Sequence, residues 1–363
     1  MKNHSEYALN GICPYFTMFP LDFPLNVLRN KSKKGDIVLD PFCGRGTTNY
    51  ASRVSGLYSI GIDSSPVAAA IAEAKLANTT PERIVRVAEN ILNELSNPEV
   101  PDGDFWKWAY HPEVLLDLCK LRDALNKNCS SNTRIALRGI ILGALHGPRR
   151  KQGSSYFSNQ SPRTYAPKPA YAIKYWKKNN LKPEKINLVD VIKERAERYY
   201  RGQVSAAGKI LNADSRSRAT FYSIDKNVSW IITSPPYYGM RTYIPDQWIR
   251  AWFLGGSASV DYSTNEQIKH SSKDDFVQDL RSVWNNLENV CKKNAIMVIR
   301  FGAISERKVS PDELIKLSLQ NTNWQCQTIT SAGFSTTGRR QAAHMTQSAG
   351  EAIEEVDVWA RLN

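Results

Sequence analysis

The sequence lacks the features of a membrane or secreted protein. It contains no run of about 18 or more apolar residues that could form a transmembrane helix. Residues 1–9 are polar and do not contain the apolar core of a signal peptide. Six cysteines are scattered without Cys-x-x-Cys pairs, and the five histidines have no ligand spacing. We therefore expect no disulfide framework, no metal site and a reducing, cytoplasmic setting.

Acidic residues are also in short supply. The chain has 35 Asp and Glu against 48 Lys and Arg, which gives a formal net charge of +13. A surplus of this size favours a polyanionic partner such as a nucleic acid. The length of 363 residues, 42% of them hydrophobic, allows one large domain or two moderate ones with an ample core.

One stretch near the middle of the chain combines a strand with a rigid turn. Residues 228–232 form an apolar run that predicts a buried strand. The run stops at Thr-Ser-Pro-Pro (233–236), where two prolines fix φ and donate no backbone N–H. Tyr237 and Tyr238 follow at once. Since ligands bind at this end of strands in α/β sheets, the carbonyl acceptors beside an aromatic face suit a planar ring with an amino group.

A second ligand site is indicated near the start of the chain. Residues 36–39 predict a short buried strand, and Asp-Pro-Phe-Cys-Gly-Arg-Gly-Thr-Thr (40–48) follows it. The glycines let the backbone approach a ligand closely, and the two threonines are expected to cap the next helix. There is no third glycine at dinucleotide spacing and no Gly-Lys-[Ser/Thr] of a phosphate-binding loop. The candidate residues are Asp40, Pro41, Phe42, Gly44, Gly46, Thr47 and Thr48.

The next predicted strand supports a nucleoside ligand without a phosphate. Residues 58–62 form this strand, and Asp63 and Ser64 come directly after it. An acidic residue here can accept hydrogen bonds from ribose hydroxyls, whereas Asp40 would repel a phosphate and suit a cationic or amino group. S-adenosylmethionine is such a molecule. The competing interpretation is a structural glycine turn with no cofactor.

A basic segment lies between the two sites. Residues 146–178 contain eight Lys and Arg, no Asp or Glu, and interleaved aromatic residues. Basic side chains suit phosphates, and aromatic rings can stack on an unstacked base. The alternative is a solvated basic loop. Two further arginines lie in a polar loop near the C-terminus. The candidate DNA-binding residues are Arg149, Arg150, Lys151, Tyr156, Arg163, Lys168, Lys174, Arg339 and Arg340.

These segments resemble the amino-methylating DNA methyltransferases. Ser-Pro-Pro-Tyr (234–237) is similar to their catalytic motif, whose Ser form is typical of the cytosine-N4 branch and whose Asp form is typical of the adenine-N6 branch. The segment 40–48 resembles their cofactor motif. The Phe- and Pro-rich segment 14–25 resembles their methionine-pocket motif, which implies that Thr17 lies near the cofactor carboxylate. The resemblance also implies that Asp214 contacts the adenine amino group.

The resemblance implies an α/β fold with a Rossmann-like class I methyltransferase sheet of seven strands. Residues 324–330 and 355–362 are expected to form its closing antiparallel hairpin. Residues 1–95 and 205–363 are predicted to form the catalytic core, and 96–204 an inserted, mainly helical target-recognition region. The motif order is nearest the family's alpha type, although the insert precedes Asp214 rather than following it.

The resemblance further implies methyl transfer from S-adenosylmethionine to cytosine N4 in double-stranded DNA. Ser234 and the carbonyl of Pro235 would accept the amino hydrogens, Pro236 would complete the rigid turn, and Tyr237 would stack on a base rotated out of the duplex. A cognate restriction endonuclease is an expectation from the family. The alternatives are adenine-N6 methylation of DNA, an RNA or protein-nitrogen methyltransferase, and a DNA-binding protein with a decayed site.

Overall fold

A computed structural model describes residues 7–13, 19–147, 156–158, 168–225, 227–238, 244–261, 272–302, 310–334 and 354–363. The chain divides into two compact units. The first unit comprises residues 1–15, 73–205 and 243–263. The second comprises residues 16–72, 206–242 and 264–363.

The second unit is built on a sheet that contains seven strands among the described residues. The strands are β1 Ile37–Asp40, β2 Tyr58–Asp63, β3 Ala207–Asn212, β4 Val228–Thr233, β5 Cys291–Gly302, β6 Trp324–Phe334 and β7 Glu354–Leu362. Their order is β3-β2-β1-β4-β5-β7-β6. β3, β2, β1, β4 and β5 are parallel to one another, and β7 runs antiparallel to both β5 and β6. The expected α/β sheet with a closing antiparallel hairpin is confirmed.

Helices pack against the strands of this sheet. They are α1 Asp22–Lys31, α2 Thr47–Val54, the first part of α3 Pro66–Leu76, α11 Lys273–Glu288 and α12 Pro311–Leu319. A 3₁₀ turn spans Arg218–Phe221. All six residues of β4 are buried, as expected for a central parallel strand covered on both faces. Trp284 of α11 and Phe301 of β5 are fully buried in the same apolar core. The core therefore holds the strand ends in fixed positions.

The first unit is helical. A 3₁₀ turn spans Ala8–Gly11, and the helices are α4 Pro81–Asn93, α5 Asp104–Ala109, α6 Pro112–Lys127, α7 Asn132–Ala144, α8 Pro169–Lys178, α9 Leu188–Tyr200 and α10 Ile244–Phe253. Side-chain caps start several of them, as when Thr80 accepts a hydrogen bond from the N–H of Arg83. Trp106 of α5 packs on Trp252 of α10 with ring centroids 4.5 Å apart. Both rings are buried, so they form part of the core of this unit.

The compact units differ in extent from the predicted regions. The long segment of the first unit starts at residue 73 rather than 96, and the unit also takes in residues 243–263. The roles assigned to the regions stay predictions. Among the described residues, no helix has the length and apolar character needed to cross a membrane.

Candidate active site

The predicted cofactor turn and the predicted catalytic turn start from adjacent strands. β1 lies between β2 and β4, and all three are parallel, so their carboxyl ends meet at one edge of the sheet. Asp40 ends β1, Asp63 ends β2, and Ser234 directly follows β4. The hydroxyl of Thr233 donates a hydrogen bond of 2.6 Å to Oδ1 of Asp40. This bond joins the two turns directly.

Asp40 is a fully buried carboxyl group with one unused acceptor. Its Oδ1 also accepts a hydrogen bond of 3.0 Å from the N–H of Phe42. Its Oδ2 is buried and has no hydrogen-bond partner in the part of the chain that the structure describes. Burial raises the pKa of Asp40 to about 6, although the hydrogen bond from Thr233 acts in the opposite direction. An N–H or a positive charge beside Oδ2 would satisfy this atom.

The glycine turn after β1 depends on positive φ angles. Gly44 has φ 51° and Gly46 has φ 75°, a left-handed region that favours glycine. A Cβ on Gly46 would lie 2.8 Å from Cβ of Ala72 on α3, so this position has no room for a side chain. The turn therefore brings α2 close to α3.

The prediction that the two threonines cap α2 is wrong. Gly46 is the N-cap residue and no side chain caps the helix, because Thr47 already lies within it. Both threonines are buried. The hydroxyl of Thr48 donates a hydrogen bond of 3.1 Å to the carbonyl of Ile232, so it ties α2 to β4. Pro41 is buried and Phe42 is half-buried beside the turn.

Asp63 holds the glycine turn from the neighbouring strand. Its Oδ2 accepts a hydrogen bond of 2.9 Å from the N–H of Gly44, and its Oδ1 accepts one of 2.9 Å from the N–H of Ser65. Burial raises the pKa of Asp63, and these two bonds act against that shift. Each carboxylate oxygen can accept a second hydrogen bond, so ribose hydroxyls remain suitable partners. Ser64 is exposed next to it.

Asp214 follows β3 at the same edge and is engaged by a residue that the sequence did not single out. Arg216 donates to both carboxylate oxygens of Asp214 over 2.7–3.0 Å and also donates to Asp279 over 3.0 Å. Burial raises the pKa of Asp214, but the bonds from Arg216 bring it below its usual value. The neighbouring Ser215 donates a hydrogen bond of 2.6 Å to the carbonyl of Pro41. Asp214 is thus held in place beside the cofactor turn.

The catalytic turn combines buried and exposed residues. Ser234 is half-buried, Pro235 is buried and Pro236 is exposed. Tyr237 is 5% exposed, and its hydroxyl donates a hydrogen bond of 2.6 Å to Oε1 of Glu355. Sequence reasoning missed Glu355, which lies more than a hundred residues further along the chain. Stacking of a base on Tyr237 therefore requires part of its surroundings to move aside.

The predicted DNA-binding residues are described only in part. Lys168 and Lys174 are exposed at and within α8. The ring of Tyr156 instead packs under the guanidinium of Arg195, 4.7 Å from the ring centroid. The remaining candidates lie outside the described residues: Arg149, Arg150, Lys151, Arg163, Arg339 and Arg340. Thr17 of the methionine-pocket segment also lies outside them.

The described residues fit S-adenosylmethionine. Asp40 offers a buried acceptor to its amino or cationic group, and the glycine turn leaves no Cβ in the way. Asp63 and Asp214 present carboxylates at the ends of the next two strands. All these groups are acceptors, which suits a ligand that has several N–H and O–H donors and no phosphate.

Comparison with known proteins shows similarity to DNA methyltransferases over part of the chain. Residues 2–74 match the model of a family described as DNA methylase. A stretch of 119 residues is 32% identical to the type II methyltransferase M.MjaII of Methanocaldococcus jannaschii. That stretch covers 33% of this chain and 21% of the relative, so the chain matches about a fifth of the relative's length.

Two solved structures are matched over most of this chain, each with a TM-score below 0.5. The rRNA methyltransferase aviRa of Streptomyces viridochromogenes is 12% identical with a TM-score of 0.39, covering 99% of this chain and 93% of that one. A SAM-dependent methyltransferase of Methanosarcina mazei is 8% identical with a TM-score of 0.35, covering 95% and 98%. The family match covers the part of this chain that carries the glycine turn, and this similarity to the DNA methylase family supports S-adenosylmethionine as the cofactor.

Proposed function

We propose that this protein is a DNA amino-methyltransferase that transfers a methyl group from S-adenosylmethionine to N4 of cytosine. The observation that carries the proposal is the hydrogen bond of 2.6 Å between Thr233 and Asp40. It joins the turn that fits the cofactor to the turn that fits an amino-bearing base. A methyl donor and its acceptor must meet in line at a short distance, so adjacent turns are what direct displacement requires.

On the cofactor side, the chain contributes acceptors and a close backbone. Oδ2 of Asp40 takes the amino or cationic group, Asp63 takes the ribose hydroxyls, and Asp214 takes the adenine amino group. Arg216 holds the carboxylate of Asp214 in orientation. The bound cofactor supplies an electrophilic methyl group on sulfur. Binding residues of this kind accelerate the reaction by fixing position rather than by forming covalent bonds.

On the base side, the turn after β4 makes the amino nitrogen of cytosine, which is a poor nucleophile, more reactive. The lone pair of the cytosine amino nitrogen is delocalised into the ring. Ser234 and the carbonyl of Pro235 accept its two hydrogens and favour a tetrahedral nitrogen whose lone pair faces the methyl group. Methyl transfer would form the N–C bond as the S–C bond of the cofactor breaks, leaving S-adenosylhomocysteine, and the surplus amino proton would be released to water. Pro236 keeps the turn rigid, because proline has a fixed φ.

In this proposal the first unit, which contains the basic segment 146–178, binds the DNA. Lys168 and Lys174 are exposed and suit phosphate contacts, and the positive charge of the whole chain attracts the duplex. The amino group of a stacked cytosine is out of reach of the turn, so the target base rotates out of the helix. A paired restriction endonuclease would make the modification protective.

N6 of adenine in DNA and amino groups in RNA are the two alternative methyl acceptors for the same reaction. Ser234 in the first motif position favours cytosine over adenine by resemblance, and N6 of adenine presents the same kind of amino group. The match of residues 2–74 to a family described as DNA methylase favours DNA over RNA.

The substrate class is tested by transfer of a labelled methyl group. The purified protein is incubated with methyl-labelled S-adenosylmethionine and, separately, plasmid DNA, structured RNA and a protein mixture. The proposal predicts labelled DNA only, and loss of the label with Ser234→Ala. Label in RNA or protein alone would overturn the assignment to DNA.

A further inference from the structure

Glu355 lies near the start of β7, at the edge of the sheet where the catalytic turn begins. β7 is antiparallel to β5, and Glu355 pairs with Gly302 at the carboxyl end of β5. β5 in turn is the parallel neighbour of β4, which leads into Ser234. The sheet therefore brings a residue from the last strand of the chain to the catalytic turn.

The contact between Glu355 and Tyr237 is buried on both sides. Glu355 is 6% exposed and Tyr237 is 5% exposed, and the phenol donates to Oε1 over 2.6 Å. A carboxylate removed from water needs hydrogen-bond donors, and a bond to a charged acceptor is stronger than a neutral one. This short, buried bond therefore constrains the position of the phenol.

The ring of Tyr237 is constrained from two further directions. Its edge meets Phe301 of β5 at a centroid distance of 5.5 Å and an interplanar angle of 72°. Its backbone follows two prolines, which have a fixed φ. The ring is therefore anchored at its hydroxyl, at its edge and at its backbone. The hydroxyl contact is made to a residue of β7.

We propose that Glu355 is a positioning residue for the catalytic turn and acts through the hydroxyl of Tyr237. It sets the orientation of the ring against which the target base is placed, and it couples the closing hairpin of the sheet to the catalytic turn. This inference rests on the proposed function, since it concerns the same turn. Stacking alone would be served equally well by phenylalanine, whereas positioning through the hydroxyl requires tyrosine.

Kinetics of Glu355→Ala, Glu355→Gln and Tyr237→Phe test the role of the bond. Loss of a hydrogen bond to a charged group corresponds to about 10- to 100-fold. We expect Glu355→Ala and Tyr237→Phe to lower kcat by this factor, with the dissociation constant of S-adenosylmethionine within about twofold of wild type. Because glutamine can still accept the hydrogen bond, Glu355→Gln should keep most of the activity.

A double variant and a control separate positioning from a general structural effect. Tyr237→Phe combined with Glu355→Ala should be no slower than the slower single variant, because both remove the same contact. Glu288→Ala removes a carboxylate that accepts hydrogen bonds from Asn323, away from the catalytic turn, and should leave kcat unchanged. Additive losses, or wild-type kcat in both single variants, would overturn the proposal.

Hydrogen exchange gives a readout that does not depend on activity. In the absence of DNA, Glu355→Ala should increase amide exchange at Ser234, Tyr237 and Tyr238 and leave exchange in β1 unchanged. If Glu355→Ala does not fold, Tyr237→Phe is measured in its place. Unchanged exchange at the turn would contradict the inference about Glu355. Absence of methyl transfer by the wild-type protein, with increased exchange in the variant, would instead count against the proposed reaction alone.

Discussion

The two turns at the carboxyl edge of the sheet use opposite means to prepare for a ligand. The turn after β1 relies on buried carboxylates and glycines, with Asp40 fully buried and Gly46 in a left-handed conformation. The turn after β4 has no charge in its first residues and relies on two prolines. The first suits a ligand rich in donors and positive charge, and the second suits an uncharged planar base. The comparison shows that the turn after β1 depends on electrostatic interactions, whereas the turn after β4 depends on a rigid backbone. The hydrogen bond between Thr233 and Asp40 connects the two turns.

The strongest test of this division is Ser234→Ala. The hydroxyl is expected to act only on the base, so turnover should fall by about 100-fold or more, the loss typical of a removed transition-state hydrogen bond. The dissociation constant of S-adenosylmethionine, measured by calorimetric titration, should change less than about twofold. Ser223→Ala, at an exposed position of the same unit, is the matched control. A parallel collapse of cofactor affinity would show that the two turns are not separate in function.

Asp40→Asn should have the complementary effect. Removal of the charge should weaken S-adenosylmethionine binding about tenfold, in line with the loss of one charge-assisted contact. The same change should stabilise the protein, because ionising a carboxyl whose pKa is raised from 3.8 to about 6 costs free energy in the folded state. At about 1.4 kcal/mol for each pKa unit, the gain at pH 8 should be of the order of 3 kcal/mol. Calorimetric unfolding checks the stability, and tighter or unchanged cofactor binding would contradict the role of Asp40.

The pH dependence of cofactor binding follows from the same residue. Asp40 is ionised above a pH of about 6 and takes up a proton below it. A cationic ligand prefers the ionised form, so affinity should fall about tenfold between pH 8 and pH 5. The contribution of Asp40 to the free energy of unfolding should change in the opposite direction and be larger at low pH. The folded state binds this proton more tightly than the unfolded chain, so its contribution to stability falls as pH rises from about 4 to 6. The Asp40→Asn variant should show a flatter profile in both titrations.

Thr233→Val should produce the smallest change. It removes the hydrogen bond that favours the charged form of Asp40, so the pKa of Asp40 should rise further. The midpoint of the pH profile for cofactor binding should shift upward, and affinity at pH 8 should fall only a few-fold. Thr220→Val, which removes a hydroxyl bonded to the backbone of Asp214, is a control. A downward shift of the midpoint would contradict this assignment.

Local patterns made much of the sheet predictable from the sequence. The apolar run of β4 ends at two prolines, and β1 and β2 each end at an aspartate, so the strand ends were readable directly. The role of Thr48 was not readable. A threonine after glycine predicts a cap, but left-handed Gly46 starts α2 one residue early and Thr48 bonds to β4 instead.

Contacts between distant segments were beyond the reach of sequence patterns. Glu355 meets Tyr237 only because β7 enters the sheet antiparallel to β5. Arg216 gave a weak local signal, since it lies two residues after Asp214, but its second partner Asp279 comes from α11. In α8, lysines and tyrosines hide the helical pattern, because only Ala172 and Trp176 are buried there.

Mass spectrometry of nucleosides is the most direct test of the proposed reaction. Plasmid DNA is incubated with the purified protein and S-adenosylmethionine, digested to nucleosides and compared with DNA treated with Ser234→Ala. The proposal predicts N4-methylcytosine with the wild-type protein and none with the variant. N6-methyladenine would contradict the choice of base, and DNA without any modified base, from a protein that binds the cofactor, would contradict DNA methylation itself.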